Sequence, residues 1–500
     1  MAESETDVVV PKASTGIEGL DDVLGGGFSR SRFFLVEGSP GSGKTTLALQ
    51  FLLAGAAAGE PVMYVTLSET AEELRSVADS HGWDLSGIDV RELTPSEQTL
   101  EAEDQNTIFY PSEVELSATL KPILSEVERS KPVRIVFDSL SEIRLLAGNP
   151  LRYRRQVLGL KQFFSTRQCT VVLLDDLTAT DSDLQLRSLA HGVLLLEQVS
   201  SEYGAERRRM RVVKYRGIRF RGGYHDFVIA RGGLVVFPRL VAAEHRQSRV
   251  RARLTSGLAE LDALLGGGIE EGTSTLVVGP AGTGKSTIAA QFAAAAAARG
   301  QRTSFFMFDE SPDTLLSRCR SLGIDIEGPI AAGLVTLRQV DPAELTPGEL
   351  AHAIRQEASR HSSCLVVIDS LNGYLNAMPE ERFLIIQLHE LLMYLSQLNV
   401  ATILIGANQG LVGTQMTTPV DASYLADAVL LLRYFEARGE LRQAISVVKK
   451  RGGAHERTIR EFRMSDGRIS VGDVLRGFRG VLTGVPTFEE GPPWQKTPVS

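Results

Sequence analysis

The apolar residues of this chain fall into short continuous runs, separated by polar and glycine-bearing stretches, and the same succession of runs comes twice. The first set is Arg32–Val36, Val62–Leu67, Arg134–Phe137, Cys169–Leu174 and Gly192–Leu196. The second is Thr275–Val278, Ser304–Phe308, Leu365–Ile368, Val400–Ile405 and Ala428–Leu432. Runs this short and this unbroken predict strands covered on both faces, since a half-exposed strand would alternate. Helical stretches lie between them, with Thr46–Phe51 and Thr287–Phe292 after the first strand of each set and the alanine-rich Gln291–Ala298 continuing the second. Strands alternating with helices predict an α/β fold, a mostly parallel sheet with helices on both faces, built twice.

The chemistry sits where the first strand of each set meets its helix. Gly38-Ser39-Pro40-Gly41-Ser42-Gly43-Lys44-Thr45 and Gly279-Pro280-Ala281-Gly282-Thr283-Gly284-Lys285-Ser286 both fit G-x-x-x-x-G-K-[ST], the phosphate-binding loop. Glycines let backbone N–H groups turn inward around phosphate oxygens, and the helix after the loop adds its positive end. Lys44 and Lys285 are expected on the β- and γ-phosphates, and the Thr45 and Ser286 hydroxyls on Mg²⁺. Strand, loop and helix in that order make a chance match a poor explanation, and a nucleotide with Mg²⁺ is the expected ligand pair.

The two sets are copies. Gly16 and Gly257, Gly27 and Gly268, Lys44 and Lys285, and Glu69 and Glu310 are each 241 residues apart. An unbroken register over that distance, with matching chemistry, means tandem duplication of a whole domain. Asp138 and Asp369 are 231 apart, so the first copy holds ten more residues, expected within Thr99–Ser112. Residues 1–10 read as a tail, 11–239 and 254–476 as the two domains, 240–253 as an arginine-rich linker and 477–500 as a mobile tail. Each domain is expected to end in arginine-rich strands with hairpins at Arg219–Val228 and Arg457–Val471.

Bulk properties narrow the classes. Lys plus Arg is 53 against 61 Asp plus Glu, a net charge of −8, which gives no global attraction to nucleic acid or anionic membrane. The three cysteines, Cys169, Cys319 and Cys364, are far apart without metal spacing and read as buried thiols in a reducing compartment. Met1-Ala2-Glu3-Ser4-Glu5 is acidic where a secretory signal is basic, and no apolar stretch is long enough to span a bilayer, so a cytoplasmic protein is expected.

Three further constellations recur in both copies. Asp138 and Asp369 each end an apolar strand and would hold the Mg²⁺ water shell beside the loop hydroxyl, the lesser alternative being an aspartate that caps the next helix. Glu69 in one copy, and Asp309 with Glu310 in the other, close the strand after the loop helix, where a carboxylate can orient a water or hydroxyl or simply stabilise a helix start. Lys214-Tyr215-Arg216-Gly217 matches Lys449-Lys450-Arg451-Gly452. Strand alternation puts Lys214 with Arg216, and Lys449 with Arg451, on one face, where they could stabilise a neighbouring subunit's γ-phosphate or remain a solvated basic strand.

With these motifs together, the chain resembles the KaiC family, tandem RecA-like P-loop ATPases of the cyanobacterial clock, over roughly residues 11–475. The glycine-rich stretches Thr15–Gly27 and Ser256–Gly268, both loops, the acids, the Lys-x-Arg-Gly strands and Tyr434–Glu440 carry the resemblance. It implies a homohexamer with ATP at subunit interfaces, a first ring that hydrolyses ATP and a second that phosphorylates its own Ser/Thr residues, acting through protein partners. Two departures stand out. The family's paired glutamates are Ser68-Glu69 in one copy and Asp309-Glu310 in the other. Its phosphorylated Ser-Thr pair aligns on Ser423 and Tyr424, with Thr418 on a further family threonine. Two other readings stay open from the residues alone: a DNA-handling RecA relative using Arg207-Arg208-Arg209, and an ATP-binding scaffold without turnover.

Overall fold

The computed structural model describes residues 10–92, 111–177, 183–200, 204–241, 252–360, 363–376, 384–407, 422–437, 439–465, 467–481 and 487–488. The chain divides into two compact units, Met1–Arg239 and Leu240–Ser500. In the first unit β1 (Phe33–Gly38) runs through the phosphate loop into α1 (Lys44–Ala57). Then come β2 (Val62–Thr66), β3 (Asp89–Glu92), β4 (Arg134–Asp138), β5 (Thr170–Asp176), α2 (Asp183–Leu189), β6 (Gly192–Val199), β7 (Arg207–Tyr215), β8 (Tyr224–Ala230) and β9 (Gly233–Phe237).

These strands make one nine-stranded sheet in the order β9-β8-β7-β6-β1-β5-β4-β2-β3. From β6 to β3 every pairing is parallel, and β7, β8 and β9 extend the sheet antiparallel. The continuous apolar runs explain the layering. In β1, Phe34 and Val36 join Leu47 and Phe51 of α1 in one core, while Phe33 and Leu35 join Val157 and Phe164 of the helix Pro150–Thr166 in another. Both sides of β1 are therefore dry, and Phe34→Ala would cost about 3–5 kcal/mol.

The second unit repeats the plan with β10 (Ser274–Gly279), α3 (Lys285–Ala298), β11 (Arg302–Met307), β12 (Val335–Gln339), β13 (Ser363–Asp369), β14 (Ala401–Ala407), β15 (Ala428–Ala437), β16 (Glu440–Lys450), β17 (Arg460–Ser465) and β18 (Arg468–Val474). Its nine strands are ordered β18-β17-β16-β15-β10-β14-β13-β11-β12, the first sheet's order strand for strand. In both units the strand before the phosphate loop is central, and its C-terminal end opens toward the loop. Open parallel sheets bind ligands at that edge.

Three expectations need correction. The expected hairpin Arg219–Val228 covers only the connection out of β7 and the first part of β8; β8 pairs antiparallel with both β7 and β9, and the tight turn lies between β8 and β9, at Gly232 and Gly233 with φ 102° and 109°. The second agrees with Arg457–Val471, as β17 and β18. Residues from 477 on are not all loose. Phe478 lies against Phe435 with ring centroids 5.6 Å apart, Val481 is buried in the same cluster, and Phe478–Arg479 pairs with Thr487–Phe488. Apolar side chains within a glycine-rich stretch still find a surface to cover. The linker's ends are also built in, since Leu240 is buried and Arg253–Leu254 pairs with Ile269–Glu270. Residues 1–9, 93–110, 242–251 and 489–500 lie outside the described residues, and with them most of Thr99–Ser112.

Candidate nucleotide sites

Each phosphate loop has the shape its glycines require. A Cβ on Gly38 would sit 2.8 Å from the Leu196 carbonyl oxygen, and one on Gly279 would sit 2.5 Å from that of Leu432. Gly43 and Gly284 begin α1 and α3 in the left-handed region, φ 97° and 94°, and neither helix start carries a side-chain cap. The first N–H groups of both helices are thereby left for an outside acceptor, the arrangement that binds phosphate. Ser39, Pro40, Gly41 and Ser42, and Pro280, Ala281, Gly282 and Thr283, form the turns between. Ser42 and Thr283 are fully buried, and Thr283 Oγ1 donates to the Pro280 carbonyl at 2.8 Å.

The two loop lysines differ. Lys44 Nζ donates to the carbonyls of Gly38 and Ser39 at 2.9 and 3.0 Å and pairs with Asp176 Oδ1 at 2.8 Å. Lys285 Nζ donates to the Pro280 carbonyl at 2.7 Å, and burial lowers its pKa against the pull of Asp369. Asp176 was not among the residues singled out from sequence. It closes β5 directly opposite Gly38, and Ala407 takes the matching place opposite Gly279. An acid ending an apolar run, the rule that picks out Asp138, would have found it.

The residues expected beside Mg²⁺ come together in each unit. Thr45 Oγ1 lies 3.3 Å from Asp138 Oδ2, and the buried Tyr64 hydroxyl donates to the same oxygen at 2.5 Å. Burial raises the pKa of Asp138, while the Tyr64 hydrogen bond and Lys44 oppose the shift. In the second site Ser286 hydrogen-bonds Asp369, whose pKa burial also raises. There Phe305 replaces Tyr64, two residues before the strand's partner of the aspartate in each sheet, so no phenol reaches the carboxylate. Asp369 Oδ2 is buried without a hydrogen-bond partner. A hydroxyl beside a carboxylate, with one buried oxygen still to be satisfied, fits a hard divalent cation such as Mg²⁺.

The strand-end acids are not equivalent. Glu69 is half-buried, and its Oε2 has no hydrogen-bond partner. Burial first, then the charges of Asp138 and Glu73, push its pKa up to about 7 against the pull of Lys44. Glu310 is held by Arg318, whose two guanidinium N–H groups reach its two oxygens at 2.8 Å each. Asp309 accepts a hydrogen bond from the Ser370 hydroxyl. At the 241-residue offset, Arg318 corresponds to Val77 and Asp309 to Ser68. No periodicity marks Arg318, which lies on the helix Pro312–Ser321.

The Lys-x-Arg strands end away from their own loops. Lys214 Nζ donates to the carbonyls of Arg187, Ala190 and Ser188 at 2.6, 2.8 and 3.2 Å, and Arg216 donates to that of Ser188 at 2.7 Å. Lys449 Nζ reaches the carbonyls of Ser423 and Ala426 at 2.6 and 2.8 Å, while Arg451 reaches that of Tyr424 at 2.7 Å and Asp427 at 3.5 Å. In both sheets the register slips beside these lysines, skipping Val213 and Val448, a bulge that re-aims the end of the strand. Tyr215 pairs with Gly192, which lies beside Phe34 near the start of β1. The loop begins at Gly38, about 13 Å further along at 3.3 Å per residue. Ser423 and Tyr424 are exposed, whereas Thr418 lies outside the described residues. Arg208 and Arg209 pair with Glu206 and Glu197 at 3.6 and 2.7 Å, so the arginine run is locally compensated. Among the described residues no helix is long and apolar enough to cross a membrane.

Comparison with known proteins agrees with this geometry. A family model described as "ATPase: KaiC" matches residues 13–241 and again 254–475. The circadian clock oscillator protein KaiC of Synechococcus elongatus is 29% identical over 96% of this chain and 92% of its own length. That of Parathermosynechococcus lividus is 28% identical over 96% and 88%, and the circadian clock protein KaiC3 of Synechocystis is 28% identical over 98% and 97%.

Proposed function

The chain belongs to the KaiC ATPase family, and from that premise we propose that it works as a ring of six copies with ATP bound at the boundaries between them. One observation carries this reading. Lys214 with Arg216, and Lys449 with Arg451, stand at the sheet edge remote from their own phosphate loops. Cations so placed lie out of reach of their own phosphate loops, and in a ring they would face a nucleotide held by another copy. There they would stabilise charge on the transferring phosphoryl group, as an arginine finger does.

Within the first site, the α1 N–H groups and Lys44 hold the phosphates, and Thr45 with Asp138 would hold Mg²⁺. The metal, when bound, neutralises charge on the phosphate oxygens. Glu69 is the base: its carboxylate takes a proton from water as the oxygen attacks the γ-phosphorus and the bond to the β-phosphate oxygen breaks. In the second site Lys285, Ser286 and Asp369 play the same holding roles. The attacking group there is the hydroxyl of Ser423 from an adjacent copy, with Asp309 or Glu310 accepting its proton, and Thr418 is a further candidate acceptor of phosphate. Support for Ser423 is its exposure and the anchoring of its own carbonyl by Lys449.

A phosphorylation state of this kind is a signal that protein partners can read, and the matched relatives are named as circadian clock proteins. Mass spectrometry of purified protein after incubation with Mg-ATP, alongside light scattering, tests the whole reading. A species near six chains carrying phosphate on Ser423 is expected. A monomer that hydrolyses ATP without incorporating phosphate would overturn the ring and the kinase together.

A further inference from the structure

An ammonium group has three protons to donate. Those of Lys44 all have acceptors inside the protein: Gly38 O, Ser39 O and Asp176 Oδ1. The ion pair is partly withdrawn from water, with 9% of the lysine side chain and 32% of the aspartate side chain exposed. A phosphate arriving at this loop must therefore take Lys44 from Asp176, or share it while lying beside a second negative charge. Among the described residues the second site has no such ion pair: Ala407 occupies the equivalent place on β14 and Lys285 keeps the Pro280 carbonyl. The exchange is reciprocal. One copy has Ser68 and Asp176 where the other has Asp309 and Ala407, so each site carries its extra acid on a different strand.

We propose that Asp176 sets the nucleotide affinity of the first site by competing with phosphate for Lys44, so that this site binds nucleotide more weakly and exchanges it faster than the second. The inference rests on the reading that both loops bind ATP, and it adds an affinity-determining residue to one of them. A fast-exchanging first site turns over and is refilled. A slow second site keeps its nucleotide long enough for transfer to a side chain. The difference is written into a single strand-end position.

The test uses the full chain and fluorescent N-methylanthraniloyl-ADP, with Lys285→Ala silencing the second loop. Asp176→Asn keeps the shape and removes the charge. It is expected to tighten binding at the first site by about fivefold, the upper end for one partly exposed ion pair, chiefly through slower release. The mirror variant, Ala407→Asp in a Lys44→Ala chain, is expected to weaken the second site by a similar factor. Binding by the Lys285→Ala parent with no tightening in Asp176→Asn overturns the competition alone. Weaker binding in Asp176→Asn also overturns it, because the acid would then be positioning Lys44 for phosphate. No binding by the Lys285→Ala parent removes the first loop from the nucleotide reading altogether.

Discussion

Arg318 grips Glu310 through two hydrogen bonds of 2.8 Å, and the first copy has Val77 in its place. One glutamate is thus paired with a cation and the other, Glu69, is not. The difference bears directly on what each carboxylate does as pH changes.

Hydrolysis at the first site should rise with pH through neutrality. Glu69 works ionised, and burial with its acidic neighbours raises its pKa to about 7. Measured in a Lys285→Ala chain, the rate is expected to climb between about pH 6 and 8 and then level off. The same shift acts on folding in the opposite sense. A carboxyl that holds its proton more tightly when folded contributes stability at low pH, and that contribution is lost as pH rises through the folded value. Glu69→Gln should abolish both the pH step and most of the turnover, by about 100-fold or more. A flat profile in the parent chain would remove Glu69 as the base.

Tyr64 and Phe305 make a matched test of whether Asp138 and Asp369 bind metal. Tyr64→Phe deletes a hydrogen bond to the buried Asp138 and should cost about 1.5–3 kcal/mol of stability, seen in denaturant unfolding. It should also shift the Mg²⁺ concentration for half-maximal hydrolysis. Phe305→Tyr supplies Asp369 with the donor it lacks and should stabilise the second unit in metal-free buffer. An unchanged Mg²⁺ dependence in Tyr64→Phe would mean that Asp138 is not a ligand-shell residue.

Assembly should depend on nucleotide and on the remote cations. Light scattering is expected to give a species near six chains with Mg-ATP and smaller ones without. Arg216→Ala should lower first-site turnover by a factor of about 1,000 while leaving nucleotide binding to dilute monomer intact. Loss of binding to the monomer would place Arg216 in its own chain's site and end the case for a shared one.

Phosphate should appear on Ser423 and disappear in Ser423→Ala. Tyr424 should stay unmodified, since its phenol carries the oxygen several ångströms beyond the reach of a serine. Asp309→Asn should impair incorporation more than Glu310→Gln, because Arg318 already occupies both oxygens of Glu310 while the Asp309 carboxylate accepts from a neutral serine hydroxyl. Lys285→Ala should abolish incorporation, whereas Lys44→Ala should chiefly impair assembly. Stoichiometric phosphate at another residue, with Ser423 bare, would defeat the alignment.

Much of this protein could be read in its sequence because the deciding interactions are local or periodic. A short continuous apolar run bounded by glycine and polar residues reads as a strand dry on both faces, and a glycine loop between such a strand and a helix leaves its N–H groups for phosphate. Thr45 with Asp138, and Ser286 with Asp369, meet because both elements of each pair end at the same sheet edge. The repeat offset carries these assignments from one copy to the other. What tertiary structure alone decided are contacts between residues that no spacing relates. Asp176 meets Lys44 because β5 lies beside β1, and Arg318 meets Glu310 because a helix folds its second turn back over the strand end. The bulges at Val213 and Val448 arise from sheet pairing, which alternation along one strand cannot report. The sequence determined where phosphate would sit; three-dimensional packing determined which charges stand around it, because charges act through space and not along the chain.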